Sequence, residues 1–371
     1  MIRKNVALGS LVAALWLVMQ YPVLLECDLD VLRKSLIILV GSLGFFFVTL
    51  NVVKLRSVGL LFVSIAAATG ASFMRWVPGY TVYALAYFVF SVGVVMLVSE
   101  CDVVPIFLAL VAGTIAQVVI NHFQLMPWGT NMPEGVEAAL SYCSVRNRIR
   151  YGVILWSGII GLWGLRKKWL MVPMLVLAVM IWKLNTQAVQ AATVATLVVI
   201  VWDFFGKKAG LAMVAACIAG FVFLVDKRFF WPSDVYLTLW RNVINASKDA
   251  PLLGHGLGAY KLDSALFNEN FVGHPHCLPL RLFYEMGIVG TLAALLPVYA
   301  VWRLYGKALT RTAMACLFFC CCTNSIAYPE YALLASLFVG MALKERDEVY
   351  KDDFCTCGRL WDCHCVQPDD V

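Results

Sequence analysis

Residues 273–290 read GHPHCLPLRLFYEMGIVG and mark the point where a polar stretch of the chain turns into a long apolar run. The apolar run continues to residue 302. A bilayer core about 30 Å thick needs roughly 20 predominantly apolar residues in a helix that crosses it. We therefore predict a transmembrane helix over residues 281–302, with His276 just outside the membrane on its N-terminal side.

The composition of the whole chain is typical of a membrane protein. Of its 371 residues, 61% are hydrophobic and 14% are charged, and the mean hydropathy is +0.80. So few polar side chains cannot cover the surface of a soluble fold of this size. The predicted fold class is all-α, a polytopic membrane protein of about twelve transmembrane helices. The predicted spans lie near residues 5–25, 35–53, 57–74, 80–98, 103–121, 151–165, 169–183, 186–202, 209–225, 281–302, 311–326 and 329–343.

Basic residues predict the orientation, because translocated loops avoid Lys and Arg. If the N-terminus is cytoplasmic, the inner segments hold Arg3, Lys4, Lys54, Arg56, Arg166, Lys167, Lys168, Lys207, Lys208, Arg303, Lys307 and Arg311. The short outer loops then hold only Arg33, Lys34, Arg75 and Lys183. Both termini are therefore predicted to be cytoplasmic. The long loops 121–150 and 226–280 are predicted to be extracytoplasmic, the second of them between the ninth and tenth helices.

The formal charge of +6 is spread over the inner segments, where it serves orientation and contact with anionic lipid. No basic patch with interleaved aromatic residues lies outside the predicted spans, so we expect no nucleic-acid partner. The sequence predicts one membrane domain, residues 1–343, and a cytoplasmic Cys-rich tail, residues 344–371.

Loop 226–280 carries the residues suited to chemistry, including three of the five histidines: His255, His274 and His276. Transfer of a sugar from a diphosphate carrier needs a base for the acceptor hydroxyl and a cation for the departing diphosphate. Histidine accepts a proton near neutral pH, and a guanidinium can hold two phosphate oxygens. We predict His276 as the base and Arg241 as the diphosphate-binding cation. The alternative for His276 is a residue that caps the tenth helix.

Two other kinds of site share part of the residue pattern of this loop. His274 and His276, with His255 or Cys277, have the spacing of metal ligands, but no carboxylate cluster accompanies them. The three glycines at 254, 256 and 258 suggest a dinucleotide fingerprint, which would need a preceding strand and a following helix. Backbone freedom near a substrate headgroup, or an ordinary surface turn, explains these glycines better.

The residues on either side of the glycines also show patterns. Apolar residues recur at helical spacing upstream, which predicts an amphipathic interfacial helix with Arg241 on its wetter side: Tyr236, Leu237, Leu239, Trp240, Val243 and Ile244. Core packing would explain the same stripe. Downstream, Glu285 either pairs with Arg281, one helical turn away, or orients His276, and we include it in the predicted catalytic group.

These elements follow one another in a fixed order: Trp240-Arg241, a Pro-x-x-Gly-x-Gly-x-Gly turn over 251–258, His276, and Glu285-Met286-Gly287. The order resembles the signature loop of the O-antigen ligase and polymerase superfamily, membrane glycosyltransferases that use polyprenyl-diphosphate-linked glycans. The resemblance covers residues 230–303 and otherwise the topology. It implies a reaction that needs no metal or cofactor. It also implies that Gly254, Gly256, Gly258 and His274 contact the substrate.

The sequence departs from the family pattern at two positions. The family usually has His-Asn where Cys277 follows His276, so a hydrogen bond to substrate is missing or replaced. The family also usually has Ser-Arg at the outer start of the eighth helix, where this chain has the uncharged Gln187. Candidate replacements for that cation are Lys183 and the arginines of the other long loop, Arg146, Arg148 and Arg150. Reduced activity or an altered donor would follow if none of them serves.

The resemblance implies ligase-type transfer of a glycan from a polyprenyl-diphosphate carrier to a lipid-anchored acceptor, such as lipid A core sugar. The reaction would take place on the periplasmic face of the bacterial inner membrane. The alternatives are a polysaccharide polymerase, a protein O-oligosaccharyltransferase and, from another class, a lipid-linked glycan transporter or flippase. Transporters usually place charges within the membrane and contain internal repeats, whereas here the polar residues gather in an outer loop.

The C-terminal tail contains Cys355, Cys357, Cys363, His364 and Cys365. In the cytoplasm these thiols stay reduced, so zinc is more plausible than disulfides. The spacing is not that of a standard zinc finger, and a disordered thiol-rich tail is the favoured interpretation. The Cys320–Cys322 run is predicted to be packed or to face lipid.

Overall fold

A computed structural model describes Val6 and residues 8–16, 90–122, 134–184, 186–224, 234–256, 258–267, 277–304, 308–322 and 329–355. Within these ranges every regular element is helical, which confirms the all-α class. In chain order the helices are α1 (8–16), α2 (Phe90–Glu100), α3 (Val103–His122), α4 (Glu134–Gly164), α5 (Met171–Lys183), α6 (Gln187–Phe205), α7 (Lys207–Leu224), α8 (Asp234–Ser247), α9 (Ala259–Phe267), α10 (Leu278–Leu304), α11 (Ala308–Cys322) and α12 (Pro329–Cys355).

Most predicted spans in this part of the chain coincide with helices. The spans at 103–121, 169–183, 186–202 and 209–225 match α3, α5, α6 and α7 to within a few residues at each end. The spans at 35–53 and 57–74 lie outside the described residues. Among those that the structure describes, one helix, Gln187–Phe205, is long and apolar enough by composition to cross a membrane. The count of twelve spans stays a prediction.

Two helices extend beyond their predicted spans. α4 begins at Glu134, so the second half of the predicted loop 121–150 is helical and continues directly into the span at 151–165. α12 continues from Pro329 to Cys355, past the predicted boundary at residue 343. Hydropathy locates the apolar part of a helix, and helix formers such as Ala, Glu, Lys and Arg continue the same helix through polar sequence.

A close contact between α3 and α4 lies in the main core. Gly158, Gly161 and Gly164 recur every third residue on α4 and face α3. A Cβ added to Gly161 would lie 2.7 Å from the Phe107 carbonyl oxygen. The Thr114 hydroxyl donates to the Ile154 carbonyl of α4 at 2.9 Å. Small residues that let two helix backbones approach, with a hydroxyl bridging between them, are typical of helix pairs in membranes.

α4 also packs in parallel with α6. Trp156 donates its indole N–H to the Thr196 hydroxyl at 2.9 Å, and Trp163 donates to Asp203 at 2.7 Å. Both pairs are separated by 40 residues in sequence, so the two helices keep one register along their contact.

α11 also packs against α6 in this core, and it contacts α4 as well. The Cys316 thiol donates to the Ala192 carbonyl at 3.5 Å. Cys320 and Cys321 are buried, as expected for packed small hydrophobes, whereas Cys322 is half-buried.

The glycine contact predicts a specific sensitivity. Gly161→Leu would force side-chain atoms against the Phe107 carbonyl, which belongs to a rigid helix backbone, and overpacking of this kind typically costs about 1–3 kcal/mol. We expect a lower melting temperature for the purified protein in detergent. Val179→Leu, at a position on α5 that is 58% exposed, is the control and should leave the melting temperature unchanged. Equal melting of the two variants would show that α3 and α4 do not pack in this way.

Candidate functional site

The described part of loop 226–280 consists of α8, a turn over residues 250–258 that we call the glycine turn, and α9. Of the three histidines in the loop, the structure describes His255. The predicted base His276 and its neighbour His274 lie outside the described residues.

Helix α8 confirms the predicted amphipathic helix. Leu239 and Val243 are fully buried and cluster with aromatic side chains of α9 and α10: Tyr260, Phe267 and Tyr284. Arg241 lies on the exposed side of α8, in agreement with the prediction. Leu237 and Ile244 are also exposed, at 39% and 44%. The exposed face therefore carries a cation between apolar side chains, as an interfacial helix does.

Helix α10 is broken at Gly287, whose φ of 62° and ψ of −167° are not helical. In an uninterrupted helix the amides of Ile288 and Val289 would donate to the carbonyls of Tyr284 and Glu285, four residues earlier. The break separates these two pairs. Four backbone groups left without partners would cost several kcal/mol in an apolar environment.

The glycine turn supplies partners for all four groups. Two of its amides replace the missing donors: His255 N–H donates to the Tyr284 carbonyl at 2.9 Å, and Gly256 N–H donates to the Glu285 carbonyl at 2.8 Å. Its carbonyls accept from the freed amides of α10, Pro251 from Ile288 at 2.9 Å and Leu252 from Val289 at 3.2 Å. The turn thus takes the place of the missing helical hydrogen bonds.

This pairing requires glycine on both sides. Gly254 and Gly287 have φ values of 71° and 62°, in the left-handed region that residues with a Cβ rarely adopt. A Cβ on Gly254 would lie 2.4 Å from the Glu285 carbonyl carbon, and a Cβ on Gly287 would lie 2.3 Å from the Leu252 carbonyl. The two backbones are therefore in direct contact, with no room for a side chain between them.

Glu285 anchors the start of α9. Its carboxylate is buried and accepts hydrogen bonds from the backbone amides of Gly258 and Tyr260 and, at 3.1 Å, from Nε of Arg281. A carboxylate at the first amides of a helix satisfies donors that the helix cannot satisfy itself. The structure thus contains the predicted pair of Glu285 with Arg281, and it adds the capping of α9, which the sequence did not suggest.

His255 has a local structural role. Its Nε2 lies 3.1 Å from the Ala246 carbonyl, and its ring stacks on Tyr284 with centroids 4.5 Å apart. The Tyr284 hydroxyl donates to Asp263 of α9 at 2.9 Å. His255 and Tyr284 therefore join the end of α8, the glycine turn, α9 and α10 into one unit.

The predicted replacements for a second cation lie at the end of α5 and in the middle of α4. Lys183 is exposed at the end of α5, and Gln187 is the first residue of α6. Arg150 is buried, at 8% exposure, on α4. The separation of 40 residues between paired positions of α4 and α6 puts Arg150 level with Gln190. Arg148 lies two residues earlier on α4, and its side chain, like that of Arg146, is outside the described residues.

Cys277, at the position where the resembled family has Asn, precedes α10 and is half-buried. Burial raises the pKa of its thiol, so it is a neutral weak donor at pH 7. Across the described residues no group of three His, Cys, Asp or Glu side chains could hold a metal ion. His274, His276 and the Cys-rich segment after Cys355 lie outside them.

No protein-family model and no curated protein matches the chain. The order of the motifs and the contacts between them are therefore the features that bear on function.

The pairing of the glycine turn with α10 predicts a graded effect of alanine. Gly206 has a φ of 86° with nothing within 4 Å of its added Cβ, so Gly206→Ala should show backbone strain alone, about 1–3 kcal/mol. Gly254→Ala and Gly287→Ala add a backbone collision and should lower thermal stability in detergent further. They should also expose the loop to protease. Equal effects of all three substitutions would contradict the close approach.

Proposed function

We propose that the chain is a membrane glycosyltransferase of the O-antigen ligase type. It would transfer a glycan from a polyprenyl-diphosphate carrier to a lipid-anchored acceptor at the periplasmic face of the inner membrane. The observation that carries the proposal is the backbone contact between the two halves of the motif, the Pro-x-x-Gly-x-Gly-x-Gly turn and the Glu-x-Gly break. His276 comes between these halves in the sequence, nine residues before Glu285.

Exposed apolar side chains support insertion into a membrane. A band of them covers one side of α5 and the turn before it: Trp169, Val172, Leu175, Val176, Val179 and Trp182. The two tryptophans, at the ends of this band, are 71% and 56% exposed. Trp is favoured where hydrocarbon meets headgroups, and Lys168 and Lys183 beside them suit the same boundary. Water would solvate such a surface poorly, whereas lipid would cover it.

Polar contacts support the proposed topology, in which these segments share one side of the membrane. Lys344 donates to the Cys101 carbonyl, and Arg166 pairs with Asp203. Thr310 donates to Glu345 at 3.1 Å. Each contact joins segments that the charge distribution assigns to the cytoplasmic side. An orientation with both termini inside the cell brings these groups to one membrane surface and places loop 226–280 on the other.

The proposed mechanism assigns one task to each group. His276 accepts the proton of the acceptor hydroxyl as its oxygen attacks the anomeric carbon. The bond from that carbon to the diphosphate breaks, and Arg241 stabilises the charge that develops on the diphosphate. Glu285 and the glycine turn hold the loop in place, and no metal or cofactor takes part. His274, Lys183, Arg148 and Arg150 are the further substrate-contact residues of the proposal.

The assignment of His276 is tested by transfer in vitro. General-base assistance typically contributes about 10²- to 10⁴-fold, so His276→Ala should lower transfer at least about 10²-fold. Expression and membrane insertion should stay normal. The assay uses purified protein in detergent with carrier-linked glycan and acceptor, and His274→Ala and His255→Ala should have smaller effects. Near-normal transfer by His276→Ala would contradict the assignment of His276 as the base, whereas no transfer by the wild-type protein would favour a transporter.

Surface glycolipids of a strain without this chain distinguish the related activities. Loss of a ligase leaves bare lipid A core while carrier-linked polymer accumulates. Loss of a polymerase leaves core that bears a single repeat, and loss of a protein-glycosylating enzyme leaves the glycolipids intact.

Arg241 is tested by two substitutions that differ in charge. Its exposed position on α8 allows the side chain to be changed without loss of the buried face, so both variants should fold. Arg241→Lys keeps the charge but loses the two-pronged hydrogen bonding and should weaken the use of donor, and Arg241→Ala should weaken it more. The measurement is KM and kcat for the carrier-linked glycan. Wild-type rates for both variants would assign the cation to another residue.

A further inference from the structure

Arg281, at the start of α10, is a further cation near the site, in addition to Arg241. The sequence pattern did not predict a role for it in substrate binding. Arg281 lies five residues after His276 in the sequence, and its amide donates to the Cys277 carbonyl, which closes the first turn of α10. Its guanidinium donates from Nε to Glu285 at 3.1 Å. Among the described residues, Nε is the guanidinium atom that has a hydrogen-bond partner. The two Nη groups have none there and can donate to a further acceptor.

The two members of this ion pair differ in exposure. The Glu285 side chain is 4% exposed, whereas the Arg281 side chain is 19% exposed. Residues 279–283, around Arg281, are all half-buried, so this turn of α10 is partly accessible. The carboxylate engages Nε, and the more exposed member of the pair is the guanidinium.

A buried hydroxyl accompanies this cation. Tyr260 is fully buried, and its hydroxyl has no hydrogen-bond partner among the described residues. The charges of both Arg281 and Glu285 act on that hydroxyl, and burial raises its pKa, so it remains a proton donor. Buried hydroxyls are seldom left without a partner, which points to an acceptor that binds beside Arg281.

We propose that Arg281 binds the diphosphate of the polyprenyl carrier through its Nη groups while Glu285 fixes the guanidinium through Nε. This inference rests on the proposed function and adds a donor-binding residue to it. A guanidinium oriented in advance by a carboxylate loses little freedom when it binds phosphate oxygens. Arg241 lies on the exposed side of α8, so the two arginines would contact the carrier headgroup from different elements.

Binding of the carrier itself tests the proposal without requiring transfer. The purified full-length protein in detergent is titrated with undecaprenyl diphosphate and, separately, with undecaprenyl monophosphate. Wild-type protein should prefer the diphosphate. Arg281→Lys keeps a charge opposite Glu285 and so keeps the fold, but it loses the planar contact and should weaken diphosphate binding at least about fivefold.

A double substitution separates binding from stability. Arg281→Gln alone leaves the carboxylate buried without its cation and would destabilise the protein. Combining it with Glu285→Gln removes both charges, while the new amide oxygen still accepts from Gly258 and Tyr260. Compared with Glu285→Gln alone, the double variant should bind the diphosphate at least about tenfold more weakly and lose its preference over the monophosphate. Lys248→Gln, an exposed cation of the same loop, is the control and should bind as wild type.

The outcomes distinguish this inference from the proposed function. If wild-type protein does not bind undecaprenyl diphosphate, both are wrong. If wild-type protein binds it, and the Lys variant and the folded double variant bind it equally well, Arg281 is only a structural partner of Glu285 and the proposed function stands.

Discussion

The break in α10 at Gly287 is the feature on which the geometry of loop 226–280 depends. It leaves two carbonyls and two amides of one helix without their helical partners, and the glycine turn, 29 to 37 residues earlier in sequence, satisfies all four. Neither segment can complete its hydrogen bonds alone. The break therefore requires the turn. In return, the hydrogen bonds to the break stabilise the left-handed conformation of the glycines in the turn. The two motifs form one structural unit.

That unit explains how the described part of a long polar loop can hold a fixed structure. A loop of 55 residues, counted from 226 to 280, would normally sample many conformations. Here α8 is held by the aromatic cluster, and α9 is capped by Glu285. The described end of the loop, Cys277, leads directly into the first turn of α10. In the sequence, the segment with His274 and His276 thus lies between two anchored helices, α9 and α10. Both helices are held by contacts of the residues beside the break at Gly287.

The sequence predicted the elements of this site better than the contacts between them. Helical spacing of apolar residues identified α8 and placed Arg241 on its exposed face, because periodicity reports which side of a helix is buried. The break was hidden because the apolar run continues past Gly287 to residue 302, so hydropathy predicts one uninterrupted helix. α9 was missed because nine residues carry too little periodic signal. The pairing of turn and break depends on tertiary contact. The sequence pointed to it only through the glycines of the turn, for which the pattern did not distinguish a substrate-binding role from an ordinary turn.

The distribution of charge in the loop follows from the chemistry proposed for it. A carrier headgroup arrives from the lipid side and carries its charge on phosphates, whereas the acceptor arrives with neutral hydroxyls. A site for both needs fixed cations near the membrane and a base near the acceptor, and any carboxylate must be kept away from the phosphates. Glu285 meets this condition because its oxygens are engaged by two amides and a guanidinium, which confine the negative charge to the buried side of α10. In the same ion pair the Arg281 side chain is the more exposed partner, at 19% against 4% for Glu285, so the cation is the member of the pair that a ligand can reach.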